Sequence, residues 1–289
     1  MTQTFISVAG HGKSSGADMT VDLRDRDYEK ISHLVYEQCG INLHAGKKEL
    51  VKARLSKRLR EGNFNSFADY YRYVTTEEGT EELISMIDSI STNLTYFFRE
   101  DKHFKKLSGI FSTIKTSAQP PSQLKIWSAG CSTGEEPYTL AITARECFPE
   151  GAVDVRIAAT DISTRVLKTA MEGIYSNERL ENVPPALVKR YFQKGTGNWS
   201  GYCRVKRGIQ DMVRFSRFNL MEAPSRDFIF DVIFCRNVMI YFDKQTQGAL
   251  VNRFYNCLRD GGYFFVGHSE SLTGLNHRFN YIEPSVYRK

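Results

Sequence analysis

The sequence predicts an α/β chain: a doubly wound, Rossmann-like sheet with a small N-terminal all-helical domain and a small antiparallel β insertion. Three patterns predict it. Apolar residues recur at helical spacing up to about residue 90. Beyond Pro120 and Pro121, short continuous apolar runs alternate with helical stretches, as in a parallel sheet covered on both faces. Between residues 191 and 218 the pattern alternates around a glycine-rich turn, as in a hairpin. At 289 residues the chain is long enough for a small domain joined to a medium one.

Taken in order, residues 1–21 are rich in Gly, Ser and Thr without periodicity and are expected to form a flexible tail without chemistry. Residues 22–92 place Ile31, Leu34 and Val35, then Leu50, Val51, Leu55 and Leu59, then Tyr70, Tyr71 and Val74, then Leu83, Ile84 and Ile87 on helical faces. That is a domain of about four helices, with Gly40, Gly62 and Gly79 between them as stops. Residues 93–122 are expected to be a linker that contributes to the site, ending at the prolines. In residues 123–289, strands are expected over Leu124–Ser128, Val153–Thr160, Asp231–Cys235 and Tyr263–Gly267, with a hairpin near the end and the insertion at 191–218.

Composition narrows the function classes. An apolar fraction of 41% with 25% charged residues excludes a disordered or fibrous chain. No apolar run approaches the roughly 18 residues of a membrane span, and no secretory signal opens the chain, so a cytoplasmic protein is expected. The six cysteines are scattered without a CxxC pair, which predicts neither disulfides nor a metal site. The net charge of +6 is uneven, with seven basic residues between Lys47 and Arg60 against the single acid Glu49. Lys47, Arg54, Lys57 and Arg58 lie largely off the apolar stripe of that helix, and form either a solvated face or a dock for an acidic partner.

The chemistry concentrates after the first expected strand. Leu124–Ser128 runs into Ala129-Gly130-Cys131-Ser132-Thr133-Gly134 and then a helix starting near Glu135. This strand, glycine loop and helix suit a nucleotide at the carboxyl end of a sheet, and Asp161 ends the next strand where an acid grips a ribose. A pyrophosphate would meet Glu135 and Glu136 at the helix N-terminus and be repelled. Those carboxylates suit S-adenosylmethionine, which carries a sulfonium and an ammonium, and G-x-G-x-x-G is missing.

Five blocks together resemble the CheR family of chemoreceptor glutamate methyltransferases. They are Ser91–Glu100 (STNLTYFFRE), Trp127–Tyr138 (WSAGCSTGEEPY), Ala159–Asp161, Phe234–Asp243 (FCRNVMIYFD) and Gly267–Ser271 (GHSES). The resemblance implies an S-adenosylmethionine-dependent protein-glutamate O-methyltransferase of chemotactic signal transduction, releasing S-adenosylhomocysteine. It implies cofactor contacts from Asn93, Thr95, Arg99, Glu136, Asp161, Asn219, Leu220, Arg236 and Asn237, with Arg99 and Tyr241 catalytic. It further implies that the basic helix docks on chemoreceptor cytoplasmic helices and that the β insertion takes a receptor-tail peptide. The expected protein is a monomer, recruited to membrane receptor arrays without entering the membrane.

A glutamate carboxylate, with a reference pKa of about 4.3, is already ionised at neutral pH and needs no general base. Its requirement is positioning, for which an arginine clamp and a tyrosine hydroxyl are suited. Arg236-Asn237-Val238-Met239 stands where amino-group methylases carry Asn/Asp-Pro-Pro-Tyr/Phe. His268 has no Ser or Cys elbow to serve and reads as a packing or loop residue. Two rivals remain: a nucleic-acid methyltransferase tracking phosphates with the basic helix, and a catalytically silent cofactor-binding adaptor.

Overall fold

The computed structural model describes residues 21–289 apart from 92, 150, 151 and 226; the tail expected at 1–21 lies, but for Val21, outside the described residues. The helical unit comprises α1 (Asp25–Cys39), α2 (Lys48–Glu61), α3 (Phe67–Val74) and α4 (Thr80–Ile90). Ile31, Val35, Val51, Leu55, Phe67, Tyr70, Met86 and Ile87 meet in one buried cluster, as their helical spacing requires. Gly40, at φ 73°, closes α1 in the left-handed region, and Gly62 closes α2. Gly79 instead precedes α4, and a Cβ there would lie 1.9 Å from the Tyr73 carbonyl oxygen, so close approach rather than helix termination requires it. Leu50 leaves the apolar stripe of α2 and stands 37% exposed.

The segment 93–122, expected as a linker, is in large part a covering helix. In α5 (Lys102–Lys115), Phe104, Leu107, Ile110 and Phe111 are buried in the same cluster as Leu140, Ala141 and Ala144 of α6 (Glu135–Cys147). The sheet follows from β1 (Gln123–Ala129), β2 (Asp154–Asp161), β6 (Val213–Arg217), β7 (Phe230–Cys235), β8 (Leu258–Val266), β9 (Asn280–Glu283) and β10 (Val286–Arg288). Between β2 and β6 run α7 (Thr164–Glu172), β3 (Ile174–Ser176), α8 (Pro185–Tyr191), β4 (Phe192–Lys194), β5 (Tyr202–Val205) and α9 (Arg207–Gln210); α10 (Lys244–Asn256) joins β7 to β8. The strand order is β6-β2-β1-β7-β8-β10-β9. β6, β2, β1, β7 and β8 are parallel, and the terminal hairpin β9–β10 adds antiparallel strands.

Both faces of the sheet are covered, which explains the continuous apolar runs. In β1, Leu124 and Ile126 point into the cluster shared with α5 and α6, while Trp127 and Ala129 point into the cluster shared with α10. Trp127 packs edge-on against Phe228 and Phe254, and its indole N–H donates to Thr160 Oγ1 at 2.9 Å, so its one polar atom is satisfied.

The antiparallel insertion expected at 191–218 differs from the structure at both ends. The small sheet has the order β3-β5-β4, so it starts upstream at Ile174, whereas Val213–Arg217 joins the main sheet parallel to β2. As the outermost strand of the sheet, β6 is buried at Val213 and exposed at Arg214 and Arg217. Such alternation gives a strand but not its partner. β3, three residues long, is too short to leave a period.

Candidate active site

β1 pairs with β2 on one side and β7 on the other, so the chain leaves its carboxyl end in both directions and opens a crevice there. The crevice is a cavity of about 260 Å³ between the helical unit and the sheet. Cys39, Leu50 and Ile90 line it from one side, and Gly130, Asp161 and Phe218 from the other.

Its floor is the turn after β1. Gly130 (φ 83°) and Cys131 donate their N–H groups to the Thr160 carbonyl at 2.8 and 2.9 Å. A Cβ on Gly130 would come within 2.4 Å of Val238 Cγ2, so only glycine allows this close crossing. Ser132, at φ 48°, donates its N–H to Asp161 Oδ2 at 2.8 Å, and Ser163 donates to Asp161 Oδ1 at 3.0 Å. Burial raises the Asp161 carboxyl, and these backbone donors oppose the rise. Gly134, at φ 96°, precedes α6.

One wall is organised by Arg236, which is 5% exposed. Its guanidinium meets Glu136 Oε2 at 3.0 Å and Glu100 Oε2 at 2.9 Å, and also donates to the Arg99 carbonyl. Glu136 accepts a further bond from Ser128 Oγ at 2.7 Å; burial pushes its carboxyl up while Arg236 pulls it down. At Glu100 burial is the largest single influence and raises the carboxyl. Arg236, the His268 N–H and Asn237 together outweigh it and leave Glu100 below its usual range.

The mouth is different. Arg99 Nη1 donates to the Leu94 carbonyl at 2.7 Å, and its guanidinium lies 5.8 Å from the Tyr96 ring centre. Tyr241 lies on a short 3-10 turn, Met239–Tyr241, whose carbonyl accepts the Asn42 N–H at 2.8 Å. Leu94 is 75% exposed, Ile240 49% and Tyr96 40%, an apolar rim around the opening. Phe98 and Glu100, at φ 57° and 58°, hold left-handed conformations on either side of Arg99. The Asn93 Nδ2 is buried without a hydrogen-bond partner in the protein, which marks a place where a ligand acceptor fits.

Residues 93–288 match the CheR methyltransferase SAM binding domain, and residues 26–91 the CheR methyltransferase all-alpha domain. The chain belongs to the CheR methyltransferase family. It is 42% identical to chemotaxis protein methyltransferase 2 of Pseudomonas aeruginosa over 90% of this chain and 92% of that protein. It is 40% identical to the chemotaxis protein methyltransferase of Borreliella burgdorferi over 94% and 97%, and 38% identical to that of Escherichia coli over 92% and 91%. As a CheR methyltransferase it uses S-adenosylmethionine. The residues present fit that group: an orphaned amide on Asn93, an acid at Asp161 and a glycine cradle at Gly130 surround one cavity.

The residues expected at the site are brought together. Asn93, Thr95, Arg99, Glu136, Asp161, Asn219, Leu220, Arg236, Asn237 and Tyr241 all line the cavity. Two expectations are corrected. Glu135 does not face the cavity with Glu136: its fully buried carboxylate pairs with Arg179 and accepts from Thr133 Oγ1 at 2.6 Å. The charge argument for a cationic cofactor therefore rests on Glu136 and Asp161. On the basic helix, Arg58 is turned inward to Glu82 and Glu61, tying α2 to α4, and Arg54 is turned to the carbonyls of Ile90 and Ser91. The Lys57 side chain is 74% exposed and meets Glu61 at 3.7 Å, while the exposed Lys47 reaches the cavity rim.

The sequence reading missed three groups. Glu100 and Ser128 hold Arg236 and Glu136 in place, and Glu270 accepts backbone N–H bonds from the turn after β7. All three lie inside the blocks that carry the family resemblance, which was the available signal. Glu100, His103 and His268 also place one ligand atom each within 4.8 Å of one another. Arg236 already occupies Glu100 there, so a cation would face a guanidinium. His268, exposed on a loop, meets the His103 ring edge-on at 4.8 Å.

Proposed function

We propose that this chain transfers the methyl group of S-adenosylmethionine to glutamate side chains of chemoreceptors, giving glutamyl methyl esters. The observation that carries this is the acid–base inventory of the cavity. Among the described lining residues there is no histidine, and both carboxylates, Glu136 and Asp161, are already hydrogen-bonded within the protein. A nucleophile that had to shed a proton would find no free base. A glutamate carboxylate sheds none.

Bound S-adenosylmethionine supplies a methyl group on a sulfonium sulfur, which leaves as a neutral thioether when a carboxylate oxygen takes the methyl in line. The protein's part is placement. Asp161 would hold the ribose hydroxyls and Glu136 the ammonium group, while Asn93 Nδ2, Thr95 and Asn237 would complete the cofactor contacts. Asn219 and Leu220, which line the same cavity, would lie against the adenine. Arg236 fixes Glu136 and the Arg99 backbone, so the two halves of the site keep one spacing. At the mouth the Arg99 guanidinium clamps the incoming carboxylate and the Tyr241 hydroxyl donates to it, directing one oxygen at the methyl. The apolar rim strips water from the carboxylate as its helix docks.

The helical unit, residues 22–92, is proposed to dock on the receptor helices through Lys47 and Lys57, with α5 assigned to the catalytic part rather than to a linker. The small sheet is proposed to hold a receptor-tail peptide, with Trp199 and Tyr202 as exposed aromatic contacts. A Cβ at Gly195 would lie 2.1 Å from the Trp199 carbonyl oxygen, so Gly195→Asp is expected to abolish tail-peptide binding by displacing that turn. Unchanged binding refutes the tether. The protein acts as a monomer in the cytoplasm, at receptor arrays; among the described residues no helix is long and apolar enough to cross a membrane.

The decisive experiment incubates the protein with methyl-labelled S-adenosylmethionine and receptor-bearing membranes. Base-labile label on receptor glutamates is the expected result. Label on RNA instead, or cofactor binding without transfer to active receptor, overturns the proposal.

A further inference from the structure

We infer that Glu270 is a positioning residue for methyl transfer, holding Tyr241 in place through the turn that carries it. The inference rests on the proposed role of Tyr241. Glu270 is 7% exposed and stands behind the cavity lining. Its Oε2 accepts the N–H groups of Gly267 at 2.6 Å and Asn237 at 2.8 Å, and its Oε1 those of Val238 at 2.9 Å and Ile240 at 3.2 Å. The turn from Asn237 to Tyr241 is thus wrapped around one carboxylate. Asn237 itself sits at φ 60°, a strained conformation that such bonds stabilise.

The opposite polar groups of the same turn are held as well. Gln247 Nε2 donates to the Met239 carbonyl at 2.9 Å and to the Phe242 carbonyl at 3.0 Å, and Asn42 donates its N–H to the Tyr241 carbonyl. A single 3-10 turn closes few backbone bonds of its own, here Tyr241 N–H to the Val238 carbonyl at 3.2 Å and Phe242 N–H to the Met239 carbonyl at 3.0 Å, so these side chains satisfy the rest. Gly267 is the pivot that makes the approach possible: a Cβ there would fall 2.9 Å from both the Asn237 nitrogen and Glu270 Oε2. Four N–H donors converging on two oxygens require an acceptor with lone pairs on both, which a carboxylate offers and an amide does not. Glu270→Gln keeps the volume but sets an NH2 against two of the N–H groups. The turn then relaxes, and the Tyr241 hydroxyl leaves its line to the methyl acceptor.

The test measures steady-state methyl transfer for Glu270→Gln in the native and the Tyr241→Phe backgrounds, with S-adenosylhomocysteine binding by calorimetry and folding by circular dichroism. For Glu270→Gln alone, kcat is expected to fall about tenfold or more, while KM for S-adenosylmethionine and S-adenosylhomocysteine affinity, which depend on the same turn only through Asn237, change by clearly less than kcat does. In the Tyr241→Phe background the same substitution is expected to cost less than about twofold, because the group it positions is gone. An equal loss in both backgrounds, or a native-background kcat within about twofold of normal, overturns the inference. A Tyr241→Phe variant of normal kcat overturns the proposed role of Tyr241 and the inference with it. A slow Tyr241→Phe with a normal Glu270→Gln overturns the positioning alone. Where Glu270→Gln fails to fold, Gln247→Ala releases the carbonyls of the same turn. Its expected kcat loss of about threefold should vanish beside Tyr241→Phe, and a loss that persists there is the contrary result.

Discussion

At the floor of the cavity the protein satisfies its own polar groups, whereas at the mouth it leaves them turned toward solvent. Asp161 takes two backbone N–H groups and Glu136 takes Ser128 and Arg236. Arg99, by contrast, has the Leu94 carbonyl and the Tyr96 ring, on a segment whose Leu94 side chain is 75% exposed. A site that binds one small ligand from solution gains from a floor ordered beforehand. A site that must also admit a side chain from a second protein needs a mouth that is not already closed by its own contacts. The contrast separates groups that should govern cofactor affinity from groups that should govern turnover.

The largest effect is expected at the floor. Asp161→Ala removes the acceptor proposed for the ribose and releases the Ser132 and Ser163 N–H groups. Two charge-assisted bonds at about 2 kcal/mol each correspond to about a thousandfold loss of S-adenosylhomocysteine affinity. Calorimetry measures it, and a loss below about tenfold would place the cofactor elsewhere in the cavity.

Next in size is a stability effect in the wall between floor and mouth. Burial, aided by Arg236, lowers His103 from 6.5 to about 4, so the folded protein keeps the ring neutral where the unfolded chain protonates it. Stability from this group is therefore present above pH 6.5 and lost as pH falls through that value toward 4. At about 1.4 kcal/mol per unit the loss is on the order of 3 to 4 kcal/mol at most. His103→Phe should flatten this part of the profile in urea unfolding at pH values on either side of the window. Glu136, Asp161 and Glu270 are raised and act with the opposite sign, gaining stability as pH falls. The difference between variant and native profiles is thus the quantity to read, and parallel profiles would show that the wall is solvated.

Much of this floor was legible in the sequence because it is built where strands end. β1, β2, β7 and β8 are covered on both faces and so appear as apolar runs, and the residues just past them, Gly130, Asp161 and Arg236, fall at the site by topology. β6 was assigned to the insertion because an outer strand leaves no trace of its partner, and β3 was missed because three residues leave no period. Glu135 and Glu136 could not be told apart by composition. Successive helical residues point about 100° apart, so one reaches the cavity and the other Arg179. Arg54 and Arg58 were assigned outward by periodicity, yet long side chains fold back to acceptors that lie far off in sequence, at Glu82 and Ile90. Glu270 lay within the Gly267–Ser271 block, yet its role could not be read there, because it acts on backbone N–H groups, which leave no pattern of their own in the sequence.

At the mouth, Arg99→Ala is expected to lower kcat about thirtyfold, near 2 kcal/mol, with S-adenosylhomocysteine affinity within about threefold of native. A fall in affinity larger than the fall in kcat would move Arg99 to the floor and erase half of the contrast. Arg99→Lys should recover little, since a point charge cannot hold a carboxylate at two oxygens.

The smallest effect is expected on the rim. Leu94 projects from the segment that also supplies Asn93, Thr95 and Arg99, and it is the most exposed large apolar residue described. Leu94→Asp leaves the core untouched, so thermal stability should change by less than about 0.5 kcal/mol. The aspartate would face the acidic helix proposed to dock there, and the lost apolar contact and like-charge repulsion together should raise KM for receptor about fivefold, near 1 kcal/mol. KM for S-adenosylmethionine should not move, because Leu94 stands 75% exposed at the opening rather than on the floor. Competition by added salt separates the two contributions, since screening relieves the repulsion and leaves the apolar loss. If receptor KM is unchanged at low salt, the receptor helix passes elsewhere and the open mouth serves the cofactor's entry instead.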